Sequence, residues 1–183
     1  NEFAQIYKST DTSYKYECAK QYFAMGKFNQ ASMLLQDVVI AQKGRGAAQE
    51  SLYMLALADY NNRDYESASQ TFKKYFQSYP KGDYAEQAAF YIGQSLYESV
   101  PEPRLDQTPT VGAITAYQNF IDYFPDSKLR EVAQKRLFDL QDNLVQKELL
   151  SAKLYYNLGG YFGNINANTE SNYEACIITA QNA

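Results

Sequence analysis

Histidine is absent from this 183-residue chain, and Ser-His-Asp catalysis, Cys-His catalysis and histidine-bearing zinc sites are absent with it. The two cysteines, Cys18 and Cys176, are too far apart for CxxC chemistry and too few for a disulfide scaffold; each reads as a small buried helix residue. Lys43 to Gly46, KGRG, carries two glycines but lacks the GK[ST] and the preceding strand of a phosphate loop, and reads as a turn. The acidic pairs Asp59 with Asp64, and Asp139 with Asp142, read as solvated helix faces or turns. No metal site and no cofactor is expected. The excess lies in aromatics, with 18 tyrosines and 10 phenylalanines. Rings, the tyrosines among them with a hydroxyl handle, suit recognition, and much enzyme chemistry is already excluded.

Those rings sit in a chain of ordinary globular composition: 45% of residues are apolar and 21% charged, which excludes wholesale disorder. The formal net charge is −4, so no basic face for nucleic acid is expected. No apolar stretch approaches the roughly 20 residues that a membrane-spanning helix needs. The chain opens NEFAQIYKST, without a basic n-region or an apolar h-region, and stops at Ala183 inside a helical pattern. It is expected to be part of something longer.

The elements that must position the rings follow from a repeat. Ala19, Ala56 and Gly93 are spaced by 37 residues, as are Ala31 and Ala68. Within each unit a second alanine follows the first small residue by 12 positions, with an aromatic three before it, Phe28 or Tyr65. The third unit keeps the step but gains eight residues, since Ala68 to Ala113 is 45, as is Pro80 to Pro125. Small residues at that spacing let two antiparallel helices cross closely, which is the tetratricopeptide pattern. Apolar positions agree: Ala31, Leu34, Leu35 and Val38, then Ala68, Phe72, Tyr75 and Phe76, then Ala113, Tyr117, Phe120, Ile121 and Phe124 recur at helical intervals.

Turn chemistry divides the chain. AMGKF and NNRDY join the helices of a pair, and the prolines of YPKGD and FPDSK end a helix at the residue before them. Asp126 or Ser127 then caps the next helix. The expected architecture is all-α, a right-handed superhelical solenoid of antiparallel helix pairs. Its first repeat spans 13–43, its second 46–80, and its third 84–125 with an insertion at 99–109. A long connecting helix over 127–149 carries the stripe Leu129, Val132, Ala133, Leu137, Leu140 and Leu144, and a truncated fourth repeat occupies 150–183.

Three stretches narrow the type of array: FKKYFQSYPKGDYAEQAAFYIGQSLY, the Pro-rich insertion SVPEPRLDQTPT, and DSKLREVAQKRLFDLQDNLVQKELLSAKLYYNLGGY. Together, over roughly Ser13 to Ala183, they resemble the BamD (ComL/YfiO) family, lipoproteins of the β-barrel assembly machinery. The loop from Gly163 to Asn172 departs from that pattern by its length, and a fifth repeat is missing. The resemblance implies a non-enzymatic outer-membrane lipoprotein on the periplasmic face, anchored by a lipidated cysteine expected upstream of Asn1. It also implies two kinds of partner, a BamA-like barrel protein bearing POTRA domains and unfolded outer-membrane β-barrel proteins. The alternatives are another periplasmic repeat adaptor of the Tol-Pal or cell-wall coordination type, and the helical part of a cell-wall enzyme.

In such a scaffold the first helices of successive pairs line the concave face. Positions −3, +1, +4 and +5 from the small residue give Tyr16, Lys20, Phe23 and Ala24, then Tyr53, Leu57, Tyr60 and Asn61, then Phe90, Gln94, Tyr97 and Glu98. That row suits an extended peptide segment with alternating aromatics, although packing between repeats explains the rings as well. The insertion residues Arg104, Asp106 and Gln107 are a second candidate, set against a bridge that caps helix ends. By resemblance alone, Tyr155, Tyr156, Tyr161 and Tyr173 supply the partner-protein surface.

Overall fold

The computed structural model describes residues 2–44, 46–103, 105–161 and 177–181. Its helices are α1 (Glu2–Lys8), α2 (Thr12–Ala24), α3 (Phe28–Ala41), α4 (Ala48–Asn61), α5 (Tyr65–Ser78), α6 (Ala85–Glu98), α7 (Thr108–Tyr123) and α8 (Arg130–Tyr161). Residues 177–181 are also helical, and the described residues contain no strand. From α2 onward each helix packs on the next, and α8 also reaches back to α6. This is the solenoid expected: helix pairs stacked so that each one's core is shared only with its neighbours.

The small residues do what their spacing requires. Ala19, Ala31, Ala56, Ala68 and Ala113 are all fully buried at helix crossings. Three clusters follow one another along the array. The first joins α1, α2, α3 and α4 around Leu34, Leu35 and Val38. The second joins α4, α5 and α6 around Phe72 and Tyr75, and the third joins α6, α7 and α8 around Tyr117, Phe120 and Leu140. Counting across the repeat, Leu35, Phe72 and Tyr117 occupy one position, opposite Ala19, Ala56 and Gly93. As the filler grows from leucine to tyrosine, the facing residue shrinks to glycine. A Cβ on Gly93 would lie 2.8–3.0 Å from the Tyr117 ring.

The turns inside the first two pairs are copies of each other. Gly26 (φ 71°) and Arg63 (φ 63°), 37 positions apart, both adopt the left-handed conformation. In each, the next residue's N–H reaches back five residues, Lys27 to the Tyr22 carbonyl and Asp64 to that of Asp59, which closes the helix with a Schellman motif. Asp11 and Asp64 cap the helices that follow them by accepting from the Tyr14 and Ser67 amides. Ser127 instead holds the turn ahead of α8, accepting from the Leu129 amide at 3.0 Å while its hydroxyl donates to Glu86.

Four observations depart from the sequence reading. The short helix α1 has no counterpart in it; this helix closes the open end of the array with Phe3 and Ile6. Helix α7 starts at Thr108, inside the expected insertion, with Pro109 in its first turn. Helix α8 runs unbroken through residue 150, where a separate unit is expected to begin. Asp59 does not lie on a solvated face. It is 5% exposed and accepts from Ser32 Oγ at 2.5 Å, between α3 and α4.

Candidate peptide-binding face

The expected row lies on α2, α4 and α6, the first helices of three successive pairs, but its members differ in how much surface they offer. Tyr16, Phe90 and Gln94 are buried. Lys20, Phe23, Tyr53, Leu57, Tyr60 and Tyr97 are half-buried, and Ala24, Asn61 and Glu98 are exposed or nearly so.

On α2, burial and the nearby Glu50 carboxylate push the Tyr16 hydroxyl up to about 12, and that hydroxyl makes no hydrogen bond of ordinary geometry. Lys20 lies over the Tyr16 ring, Nζ 4.8 Å from its centre, and pairs with Glu17 at 2.6 Å. Phe23 meets Phe28 edge to face at 5.3 Å.

On α4, Tyr53 stacks flat on Tyr84, centres 4.4 Å apart and planes 4° apart, with Phe72 and Tyr75 against its edges. Tyr60 stands edge-on to Tyr65 and Tyr91 at 5.5 and 5.1 Å. Burial pushes Tyr53 up to about 12 and raises Tyr60, to which the Glu98 carboxylate adds. Both are therefore neutral hydroxyls at any physiological pH, able to donate to a backbone carbonyl.

On α6, Gln94 is committed at both ends, its amide donating to Glu98 at 2.8 Å and its oxygen accepting from the Tyr117 hydroxyl at 2.7 Å. Tyr97 makes a contact the sequence reading missed. The Arg136 guanidinium lies 4.3 Å over its ring, Arg136 Nη1 donates to the Tyr97 hydroxyl at 3.0 Å, and that hydroxyl donates to Asp139 at 3.2 Å. Arg136 and Tyr97 are 39 residues apart, and only the return of α8 onto α6 brings them together. Asp139, read as solvated, is thus on the surface but engaged.

In the insertion, Arg104 lies outside the described residues. Asp106 accepts from the amide and hydroxyl of Thr108, which hold its carboxyl below the usual range and start α7. Gln107 is 4% exposed and ties four groups together. Its amide donates to the Glu102 and Leu105 carbonyls, and its oxygen accepts from Thr110 and from Asn143 on α8. This geometry is that of a bridge pinning the insertion to α8.

At the far end, Tyr155 and Tyr156 are exposed on α8, 37% and 63% respectively. Tyr161 ends that helix with its side chain outside the described residues, where Tyr173 and Cys176 also lie. Cys18 is a buried free thiol. Among the described residues no helix is long and apolar enough to cross a membrane.

The chain carrying this helical array matches the YfiO family, described as outer membrane lipoprotein, over residues 8–179. The chain belongs to that family. Similar curated proteins include the outer membrane protein assembly factor BamD of Caulobacter vibrioides, 22% identical over 155 residues, which covers 84% of this chain and 50% of that protein. The BamD of Pasteurella multocida is 22% identical over 151 residues, covering 76% of this chain and 58% of its own length. The chain thus spans between 50% and 58% of the length of these relatives.

Proposed function

We propose that this YfiO-family chain is a non-catalytic scaffold in outer-membrane protein assembly. Its row on α2, α4 and α6 receives extended segments of unfolded β-barrel proteins, and the region around Tyr155, Tyr156, Tyr161 and Tyr173 engages a POTRA-bearing barrel subunit. A lipid carried upstream of Asn1 holds it to the periplasmic face of the outer membrane. The observation that carries the reading is the partial exposure of Phe23, Tyr53, Leu57, Tyr60 and Tyr97 on α2, α4 and α6, the first helices of three successive pairs. Each ring is braced by neighbouring side chains and keeps part of its surface free, which gives contact area at little entropic cost.

Because the rings also brace the array, removing them confounds binding with folding. Tyr53→Phe with Tyr60→Phe keeps every ring contact and deletes only the two hydroxyls. We expect this double variant to bind a fluorescent peptide of alternating aromatic and polar residues, taken from a barrel strand, about 5-fold more weakly or worse, at one lost hydrogen bond of about 1 kcal/mol. Its unfolding temperature should be unchanged. Equal affinity in both proteins would remove the row from the mechanism. Separately, a tagged full-length protein drawn from detergent-solubilised envelopes should bring a POTRA-bearing barrel protein near stoichiometry, and its absence would refute the partner assignment.

A further inference from the structure

Away from the aromatic row, between the insertion and the C-terminal half of α8, lies an open cleft of about 450 Å³ lined by Pro103, Lys147, Leu150, Ser151, Lys153, Leu154 and Asn157. Leu150 and Leu154 are four residues apart and share a helix face with Pro103 opposite, which makes an apolar floor. Leu154 is 57% exposed, so among the described residues its side of the floor is open to solvent. Lys147 precedes Leu150 by one turn and Lys153 precedes Leu154, so the floor is flanked by two cations. Neither lysine makes an ion pair within 4 Å among the described residues. Asp106, whose carboxylate Lys147 attracts, is occupied chiefly by Thr108. Among the described residues, a chain of net charge −4 thus has here an apolar cleft flanked by two lysines without an ion pair and lined by no carboxylate.

We propose that this cleft docks an acidic peptide segment of a partner protein. One or two apolar side chains of the segment seat between Pro103, Leu150 and Leu154, and its carboxylates reach Lys147 and Lys153. Ser151 and Asn157, also in the cleft's lining, suit the segment's backbone amides. An acyl chain would desolvate them without replacing their hydrogen bonds, so a peptide fits better than a lipid. Complementary charge fixes which segment docks and speeds its arrival, while the leucine floor retains it. None of the cleft residues belongs to the α2–α4–α6 row, so cleft and row can fail separately, whereas Leu154 and Asn157 flank Tyr155 and Tyr156, so the cleft adjoins the proposed partner surface and deepens that part of the reading.

The test uses the full chain and a fluorescent eight-residue peptide alternating Asp or Glu with Leu, followed by anisotropy. Binding should weaken at least about 10-fold in Lys147→Glu with Lys153→Glu, and several-fold between 50 and about 200 mM salt by screening. Leu154→Ser, a surface change that folding tolerates, should weaken it with little change in salt dependence. The same peptide with Asn and Gln for its acids should bind poorly, and Tyr53→Phe with Tyr60→Phe should bind it normally. The proposal is overturned if the acidic peptide does not bind, or binds equally when both lysines are reversed. Lysine-dependent binding of phosphatidylglycerol vesicles without peptide binding would overturn it as well, in favour of a lipid site.

Discussion

Substituting Gly93 with alanine asks whether the third crossing depends on the absence of one methyl group. In an unobstructed helix interior, Gly→Ala gains about 1 kcal/mol from propensity. At Gly93 the new Cβ would lie 2.8–3.0 Å from three atoms of the Tyr117 ring, inside van der Waals contact. That ring cannot easily retreat: it is fully buried, bonded through its hydroxyl to Gln94 and held edge-on by Phe90. Overpacking of this kind costs about 1–3 kcal/mol, so the net is a loss of up to about 2 kcal/mol. Gly112, in α7, is the control. Its Cβ would meet only Leu96 at 3.5 Å, an ordinary contact, so Gly112→Ala should gain about 0.5–1 kcal/mol. For a chain of this length the two variants should move the unfolding temperature in opposite directions, by about 2–4 °C per kcal/mol. Adding Tyr117→Leu to Gly93→Ala restores the alanine–leucine pair of Ala19 and Leu35, and the double variant should be more stable than the sum of the two single changes predicts. A Gly93→Ala protein stabilised as much as Gly112→Ala would refute the packing argument.

Three further outcomes follow from the geometry. Gly26→Ala should cost about 1 kcal/mol in urea unfolding purely through its left-handed backbone, since nothing lies within 4 Å of the added methyl. Asp59→Asn should stabilise at pH 7, because burial raises the Asp59 pKa against the modest help of Ser32. A carboxyl whose folded pKa lies above its unfolded value favours folding as pH falls through that interval, so the advantage of the Asp59→Asn variant over the parent should shrink on acidification; a gain independent of pH would contradict it. Gln107→Ala should cost about 2–3 kcal/mol, because it takes the Gln107 partner from Thr110, Asn143 and the Leu105 carbonyl, and should open the 99–107 loop to limited proteolysis before the rest of the array unfolds.

What was legible in the sequence and what was not divide along one physical line. A helical repeat is a local object, so the 37-residue step, the buried alanines and the turn shared by Gly26 and Arg63 can be read along the chain. Properties that depend on two distant segments cannot. Asp59 looks solvated because a charge in a turn-proximal position usually is; its burial depends on Ser32, 27 residues earlier on the neighbouring helix. The offsets place Tyr53 on the first helix of its pair, yet say nothing of Tyr84 arriving flat against it from the next repeat. The insertion shows the same limit. Its composition marks a loop, but only the fold shows that Gln107 joins it to Asn143 and sets it against Leu150 and Leu154. The continuity of α8 is the opposite case: no proline or glycine interrupts Arg130 to Leu158, and the apolar stripe merely changes face. That change of face bears on the proposed function. The first half of α8 turns Ala133 and Leu140 into the third core cluster, whereas the second half leaves Leu149, Leu154 and Tyr156 on the surface. In the proposed scaffold one helix thus closes the substrate-side array with one end, where Arg136 meets Tyr97, and offers a partner surface with the other.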